Sequence, residues 1–177
     1  MPSASSTVQI SAHVRDVADF PKPGILFRDI TPLLANAAAF GAAIDQFAAL
    51  IVPHRVEGLV AIESRGFIFG AALAHKLGLP LLLVRKPGKL PRPTVSVAYQ
   101  LEYGTDRVEM HAEDVVAGAR YAVIDDVIAT GGTAVAAAEL VEKQGGVVAC
   151  CGFLIELDFL LGRERLGSRT VESVLHY

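Results

Sequence analysis

The chain has little cysteine, no excess of positive charge and no long apolar run, and each absence excludes a class of protein. Its 2 cysteines are too few for a disulfide framework. Because Cys150 and Cys151 are adjacent within an apolar segment, they are expected to be buried thiols in a reducing cytoplasm. The formal net charge of −3 gives nucleic acid binding no global electrostatic support. No run of about 18 apolar residues occurs, so no membrane span is expected.

Targeting and metal-binding patterns are also missing. The first residues lack a basic stretch followed by an apolar one, so no secretory signal is expected and the predicted location is cytoplasmic. The five histidines show no metal-ligand spacing, and we assign them no role. The chain is instead rich in apolar residues, with 52% hydrophobic content and a mean hydropathy of +0.43. This composition predicts one domain over residues 1–177, frayed at about residues 1–12, with surplus apolar surface that a subunit interface would cover.

Helical and strand patterns alternate along the chain. The periodicity predicts helices over residues 40–51, 67–77 and 134–143, and strands over residues 58–62, 81–84, 121–124 and 147–155. Continuous apolar strands separated by helices predict an α/β fold with a single, doubly wound parallel sheet. Ligands of such folds bind at the carboxyl ends of the strands.

The most informative segment is residues 121–133, YAVIDDVIATGGT. Its apolar run ends in Asp125 and Asp126, and the next five residues, 129–133, lead directly into a helical pattern. Glycines let a backbone approach an anion closely, and the following helix adds its unpaired N–H groups. A lysine-containing P-loop and a dinucleotide fingerprint are both excluded by the missing residues. Two acids beside a phosphate-sized loop suit a pentose 5-phosphate, although an ordinary turn with a solvated acid pair is the alternative.

Cationic residues follow two other predicted strands. Glu63-Ser64-Arg65-Gly66 follows the strand at 58–62, and Arg85 and Lys86 follow the strand at 81–84. Lys89 and Arg92 lie in the Pro- and Gly-rich stretch that comes next. Such a set suits a polyanionic substrate, and the alternative is a solvated basic loop with Ser64 as a helix cap. Alternation within residues 87–110 predicts a hairpin arm.

Five separate blocks carry a resemblance to the type I phosphoribosyltransferases. They are the segment above together with FPKPGILFRDITPLL at 20–34, ESRGFIFG at 63–70, RKPGKLP at 85–91 and YQLEYGTD at 99–106. In order and from about Val14 onward, they are similar to the adenine-specific members of this family. The resemblance implies transfer of a phosphoribosyl group from phosphoribosyl pyrophosphate to adenine, with Mg²⁺ as cofactor. It also implies a flexible hairpin lid, a small N-terminal hood and a homodimer.

The resemblance assigns roles residue by residue. The ribose and 5-phosphate of phosphoribosyl pyrophosphate would bind Asp125, Asp126, Ala129, Thr130, Gly131, Gly132 and Thr133. Its pyrophosphate would bind Glu63, Ser64, Arg65, Arg85, Lys86 and Lys89, with a cis peptide between Glu63 and Ser64. Glu63 stands where the family more often has Asp. Arg65 and Glu102 would be catalytic, with Glu102 handling a proton on the lid beside Tyr103. Adenine would bind Leu26, Phe27, Arg28 and Ile128, and Mg²⁺ would have no direct protein ligand.

Two other functions remain open at this level. The base could be hypoxanthine or xanthine instead of adenine. The chain could also be a regulator that keeps the phosphoribosyl pyrophosphate site as a sensor. Regulators of this kind usually add a DNA-binding module or a basic RNA-binding face, and neither the length nor the charge indicates one. Glu102 and the Arg65 loop favour an enzyme.

Overall fold

The computed structural model describes residues 9–100 and 105–177. The chain divides into two compact units, of which the first ends at Gln46 and the second runs from Phe47 to Tyr177. Each unit is described separately below.

The first unit contains a two-stranded antiparallel ribbon. Strand β1 (Arg15–Ala18) pairs with β2 (Leu26–Asp29). The turn between them contains a cis peptide at Phe20–Pro21, and Gly24 has a φ of +84° while its N–H donates to Asp19 Oδ1 at 2.7 Å. At the start of the described residues, Ile10–His13 forms a 3₁₀ turn and Ile10 is buried.

Two helices follow the ribbon. Helix α1 (Thr31–Leu34) is a single turn, and helix α2 (Ala37–Ile51) continues into the second unit. Asn36 Oδ1 accepts the Ala39 N–H at 3.0 Å, which explains why α2 begins where it does. The buried residues of α2 lie at helical spacing: Ala39, Ala43, Ile44, Phe47, Ala48 and Ile51.

One helical stretch in the described residues is long and apolar enough to cross a membrane. Ala37–His54 spans 18 residues with a mean hydropathy of 1.3, and a third of it is buried. Length and composition are weak grounds for a membrane span, since the core helix of a soluble protein meets the same criterion.

A five-stranded parallel sheet forms the centre of the second unit. Its strands and helices, in chain order, are β3 (Gly58–Ile62), α3 (Gly66–Leu77), β4 (Leu81–Val84), β5 (Thr94–Gln100), β6 (Thr105–His111), β7 (Arg120–Ile128), α4 (Gly132–Lys143), β8 (Val147–Glu156), α5 (Gly162–Arg165) and β9 (Val171–His176). The sheet order is β4-β3-β7-β8-β9, and each adjacent pair is parallel. The α/β fold class with a parallel central sheet is therefore confirmed. Strand β9 was not predicted, because its sequence mixes polar and apolar residues without a clear period.

The predicted hairpin arm is present, and the described part of it belongs to the core. Strands β5 and β6 pair antiparallel from Thr94↔His111 to Gln100↔Thr105. Val97, Val108 and Met110 are buried in one cluster with β3, β4 and α4. The base of the arm is therefore anchored on the sheet.

Candidate active site

A cavity of about 360 Å³ lies at the carboxyl ends of β3, β4 and β7. Its lining combines acids, cations and apolar residues from four segments: Ile62, Glu63, Ser64, Arg65, Val84, Arg85, Lys86, Tyr99, Val108, Asp125, Asp126, Val127, Ala129 and Thr133. A smaller cavity of about 100 Å³ is lined by Asp125 and residues 127–134. The parallel sheet has thus brought together groups separated by up to 70 positions, as between Glu63 and Thr133.

The acid pair lies inside β7, whereas the sequence predicted that the strand would end before it. Pairing with β8 continues from Asp125↔Phe153 to Ile128↔Glu156. Because successive side chains in a strand point to opposite faces, the two carboxylates leave the backbone in different directions. Asp125 Oδ1 accepts the Asp126 N–H at 2.8 Å. Burial and the neighbouring charge of Asp126 raise the pKa of Asp125 well above its ordinary value.

Asp126 is paired with the predicted catalytic arginine. Its Oδ2 atom lies 2.9 Å from Arg65 Nε, and the Asp126 side chain is only 6% exposed. Burial raises the pKa of Asp126, although the Arg65 charge opposes this shift. Within the described residues Oδ2 has no well-directed hydrogen-bond donor. A buried carboxylate oxygen at a cavity wall is therefore able to accept a hydrogen bond from a ligand hydroxyl.

The first turn of α3 packs directly on the acid pair. A Cβ added to Gly66 would lie 2.9 Å from both Asp125 Oδ1 and the Ile124 carbonyl oxygen, so a larger residue does not fit. The loop before this turn contains the cis peptide between Glu63 and Ser64 that the family resemblance implied. These contacts place Arg65 and Ser64 at the cavity wall.

The phosphate-sized loop opens directly into α4. Gly131 is the residue before the helix, with a φ of +79°, and no side chain caps the helix at this position. The Val135 N–H donates to the Gly131 carbonyl at 2.9 Å, which starts the helical ladder. The N–H groups of the first turn are therefore positioned to bind an anion. The five predicted loop residues, 129–133, all line the smaller cavity.

Glu63 and Arg85 join the loops that follow β3 and β4. Arg85 donates to both Glu63 carboxylate oxygens, at 3.2 and 2.9 Å, and the Lys86 N–H donates to Glu63 Oε2 at 3.0 Å. These hydrogen bonds, led by the one from Arg85, lower the pKa of Glu63 despite burial. The Glu63 carboxylate therefore orients cations at the cavity. Lys89 contributes its carbonyl to Arg85 at 3.1 Å, and its exposed side chain does not line either cavity.

Sequence reasoning missed Tyr99 and Asp106, which hold Lys86. Lys86 Nζ donates to Tyr99 Oη at 3.0 Å and is ion-paired with Asp106. Burial favours the neutral amine, but the hydrogen bonds to these two residues outweigh it and raise the pKa of Lys86. The sequence placed both residues only within the predicted hairpin arm at 87–110. Only the pairing of β5 with β6, which sets Tyr99 opposite Asp106, brings them together.

The predicted base-binding residues lie in different parts of the structure, and the two predicted lid residues are not described. Leu26, Phe27 and Arg28 form β2 in the first unit, where Phe27 packs edge-on against Phe20 with ring centroids 5.1 Å apart. Arg28 is ion-paired with Asp16 of β1. Ile128 is buried and lines the smaller cavity. Glu102 and Tyr103 lie outside the described residues.

Comparison with known proteins identifies the class to which this fold and site belong. The family model of the phosphoribosyl transferase domain matches residues 34–156. The chain is 52% identical to the adenine phosphoribosyltransferase of Sorangium cellulosum (strain So ce56), over 100% of this chain and 91% of that one. It is also 52% identical to the enzyme of that name from Roseiflexus sp. (strain RS-1), over 97% of this chain and 99% of that one.

Solved structures agree with this class. The crystal structure of adenine phosphoribosyltransferase from Thermoanaerobacter pseudethanolicus has a TM-score of 0.93 and 46% identity, covering 95% of this chain and 98% of that one. The enzyme from Saccharomyces cerevisiae has a TM-score of 0.89 and 38% identity, covering 93% and 96%. The chain belongs to the adenine phosphoribosyltransferases within the phosphoribosyltransferase family.

Proposed function

We propose that the chain transfers the 5-phosphoribosyl group of phosphoribosyl pyrophosphate to adenine, which gives AMP and pyrophosphate and salvages the purine. The observation that carries this proposal is the pair of cavities that share Asp125, Val127, Ala129 and Thr133 and together combine an acid pair, a phosphate loop and cations from two further loops. The Saccharomyces cerevisiae relative was crystallised with adenine and an imino-altritol bisphosphate. That pair of ligands combines a purine base with a sugar mimic carrying two phosphates.

Asp125 and Asp126 would hold the ribose. Both line the larger cavity, and Asp126 Oδ2 retains an acceptor position. The ribose hydroxyls are donors that match two carboxylates. Hydrogen bonds at these two positions orient the anomeric carbon toward the base, and orientation is a large part of the catalysis of a group transfer.

The 5-phosphate would bind residues 129–133. Gly131 places the backbone in a left-handed conformation, and the uncapped N–H groups of α4 follow immediately. Backbone donors at a helix N-terminus stabilise a phosphate without a lysine. The hydroxyls of Thr130 and Thr133 add donors beside them.

Arg65, Arg85 and Lys86 would bind the pyrophosphate and stabilise it as it departs. All three line the larger cavity. Fixed cations aimed at a developing negative charge lower the barrier most effectively where water is excluded. Glu63 orients Arg85. Ser64 lies in the loop after β3 and lines the same cavity, and Lys89 supplies additional positive charge nearby.

The cavity suits a substrate that carries Mg²⁺. Asp125 and Asp126 provide carboxylate oxygens. Mg²⁺ prefers oxygen ligands, and its bound waters can donate hydrogen bonds to carboxylates. When bound, Mg²⁺ neutralises the pyrophosphate and improves it as a leaving group. We assign its direct coordination to substrate oxygens and water, while the two carboxylates accept hydrogen bonds around it.

The base would be recognised by the backbone of β2. Leu26 and Arg28 are two residues apart, so their backbone groups belong to the same class of the antiparallel ladder and point toward the same edge. A Leu26 carbonyl and an Arg28 N–H on one edge match an exocyclic amine and the neighbouring ring nitrogen of adenine. Phe27 supplies an aromatic face and Ile128 an apolar contact. Glu102 remains the predicted group that handles the proton near the imidazole edge of the purine.

The reaction then needs no covalent intermediate. The adenine nitrogen displaces pyrophosphate at the anomeric carbon, with charge developing on the sugar and on the leaving group. Hydrophobic walls formed by Ile62, Val84 and Val108 reduce water access to that centre. The protein supplies position and electrostatic stabilisation.

We assign the enzyme to the cytoplasm as a homodimer. Several large apolar side chains of the second unit are exposed, among them Val52, Phe159 and Leu161. Surfaces of this kind often mark interfaces. Light scattering should give twice the chain mass of 18.7 kDa, and a monomer at micromolar concentration would contradict the dimer.

The decisive experiment offers four purine bases separately with phosphoribosyl pyrophosphate and Mg²⁺ and measures pyrophosphate release. A 6-oxo base leaves the amine acceptor and the ring donor mispaired, at a cost of about 1–3 kcal/mol for each group. Two mispaired groups imply roughly a hundredfold preference for adenine over hypoxanthine in kcat/KM. Comparable use of hypoxanthine would refute the adenine assignment and leave the phosphoribosyl transfer intact.

A further inference from the structure

The phosphate loop rests on a second backbone segment that follows β8. A Cβ added to Gly131 would lie 2.4 Å from the Gly162 carbonyl oxygen. A Cβ added to Gly162 would lie 2.2 Å from the Ala129 carbonyl oxygen and 2.9 Å from Ile128 Cγ1. The backbone of Gly162 therefore packs directly on the backbone of the phosphate loop. Neither Gly131 nor Gly162 has room for a side chain at this contact. We call residues 157–166 the buttress segment.

The buttress segment is connected to the loop at two other points. The Leu157 N–H donates to the Ile128 carbonyl at 3.0 Å, where β7 passes into the loop. Arg165 Nη1 lies 3.4 Å from the Thr130 carbonyl, a long hydrogen bond. The contact at Gly162 lies between these two points. The position of the loop therefore depends on where the buttress segment turns.

An ion pair between the exposed Arg163 and the buried Glu156 carboxylate holds that turn in place. Arg163 Nε and Nη2 donate to the two Glu156 oxygens at 2.9 and 2.6 Å, and Arg163 Nη1 donates to the Val171 carbonyl at 2.7 Å. Ser173 Oγ donates to Glu156 Oε2 at 2.6 Å. Burial disfavours the Glu156 carboxylate, yet these hydrogen bonds outweigh it and lower its pKa. The guanidinium is thus fastened to β8 and β9 at the residue next to Gly162.

We infer that the Glu156–Arg163 pair is a positioning pair for the 5-phosphate site. It fixes the first turn of α5 so that the Gly162 backbone supports Ala129 and Gly131, and the loop N–H groups are preorganised for the phosphate. Neither residue lines the two cavities described above. The effect of the pair therefore passes through the loop, and the inference rests on the proposed role of residues 129–133 as the phosphate site.

Arg163→Met tests the pair, with Arg169→Met as a matched control. Methionine keeps much of the apolar stem and removes the charge. Arg169 makes the same fork-shaped pair, with Glu142 oxygens at 2.8 and 2.7 Å. Its Nη1 also donates to the Leu166 carbonyl at 3.3 Å, at the end of the buttress segment, but Arg169 does not contact Gly162 or the phosphate loop. Calorimetry would measure binding of ribose 5-phosphate and, separately, of inorganic pyrophosphate to each variant.

Arg163→Met should weaken ribose 5-phosphate binding by roughly tenfold, the order expected when a preorganised loop loses its support. Pyrophosphate binding should change little, because its cations lie on the loops after β3 and β4. Arg169→Met should leave both affinities near those of the unmodified chain. Equal weakening of both ligands, or unchanged ribose 5-phosphate binding in a folded Arg163→Met, would overturn the inference.

A second variant acts on the contact itself. Gly162→Ala introduces a Cβ against the Ala129 carbonyl and should also selectively weaken ribose 5-phosphate binding. It becomes the test of the inference if Arg163→Met does not fold. Failure of adenine turnover by the unmodified chain would instead count against the proposed function. The binding measurements do not require turnover, so the two failures can be distinguished.

Discussion

At the scale of single residues, the acid pair combines its proposed ribose-binding role with a cost to folding. Asp125 and Asp126 are adjacent, and burial raises the pKa of both. A carboxylate whose ionised form is disfavoured in the folded state reduces stability once the pH exceeds its unfolded pKa. Arg65 offsets part of this cost at Asp126. The site therefore retains a charge arrangement that folding alone would not favour.

Asp125→Asn should stabilise the protein at neutral pH while weakening phosphoribosyl pyrophosphate binding. The folded pKa of Asp125 is raised above the ordinary value of 3.8. As the pH rises from the ordinary pKa of 3.8 toward the raised folded pKa of Asp125, the free energy of unfolding of the unmodified chain falls. Asparagine does not ionise, and its oxygen can still accept the Asp126 N–H. The variant should therefore have a higher free energy of unfolding than the unmodified chain at pH 7.

Urea unfolding at pH 7 and near pH 4 measures this effect as a difference between variant and unmodified chain. The difference should shrink at the lower pH, where the aspartate of the folded state takes up its proton. Glu113→Gln, at an exposed position, should show no such gain. A less stable Asp125→Asn at pH 7 would show that hydrogen bonding outweighs burial at this site.

At the scale of elements, the β5–β6 hairpin has a described base that is part of the core. Val97, Val108 and Met110 are buried in the main cluster, and Lys86 is held by Tyr99 and Asp106 on the same hairpin. The arm therefore supplies side chains both to the core and to the active-site cavity. Any lid movement of the kind that the family resemblance implies must leave this base in place.

Met110→Ala should destabilise the protein strongly, whereas Arg107→Ala on the same strand should not. Met110 is fully buried and Arg107 is exposed. Removing a buried methionine side chain costs about 2–5 kcal/mol, because apolar contacts are lost and a cavity remains. An exposed substitution stays within about 0.5 kcal/mol. Chemical denaturation measures both values. Similar stabilities for the two variants would mean that the hairpin base is not part of the cooperative core.

At the scale of the whole molecule, the buried thiols report on cooperative unfolding. Cys150 and Cys151 lie on the interior strand β8, fully buried, and burial raises the pKa of each to about 12. Reaction with a thiol reagent requires both exposure and a thiolate. Neither condition is met in the folded chain, so modification depends on opening of the sheet.

Both cysteines should therefore react only when the chain unfolds. In a urea titration at pH 8, labelling should rise at the same midpoint as the loss of secondary structure. Ser168→Cys, at an exposed position, should add one thiol that reacts without denaturant and so controls for reagent activity. Fast labelling of either native cysteine below the transition would reveal local opening of β8.

The sequence by itself determined the features that depend on neighbouring residues. The order of strand, two acids, glycine loop and helix within residues 121–133 predicted the unit formed by β7, the loop and α4, because each part needs only its local backbone. The ribose and phosphate site within it stays a prediction. The parallel sheet followed from apolar strands alternating with helices. Within the predicted elements the main error is a boundary, the continuation of β7 through the acid pair to Ile128, and one strand of the sheet, β9, was missed.

Tertiary structure decided which distant residues support those features. The ion pair of Glu63 with Arg85, the contacts of Lys86 with Tyr99 and Asp106, and the packing of Gly162 on Gly131 join positions that no local pattern relates. Arg163 reaches Glu156 at the end of β8, and its hydrogen bond to the Val171 carbonyl forms because β9 lies next to β8 in the sheet. Local backbone preferences act over a few residues, whereas these contacts exist only after the sheet has brought its carboxyl ends to one edge.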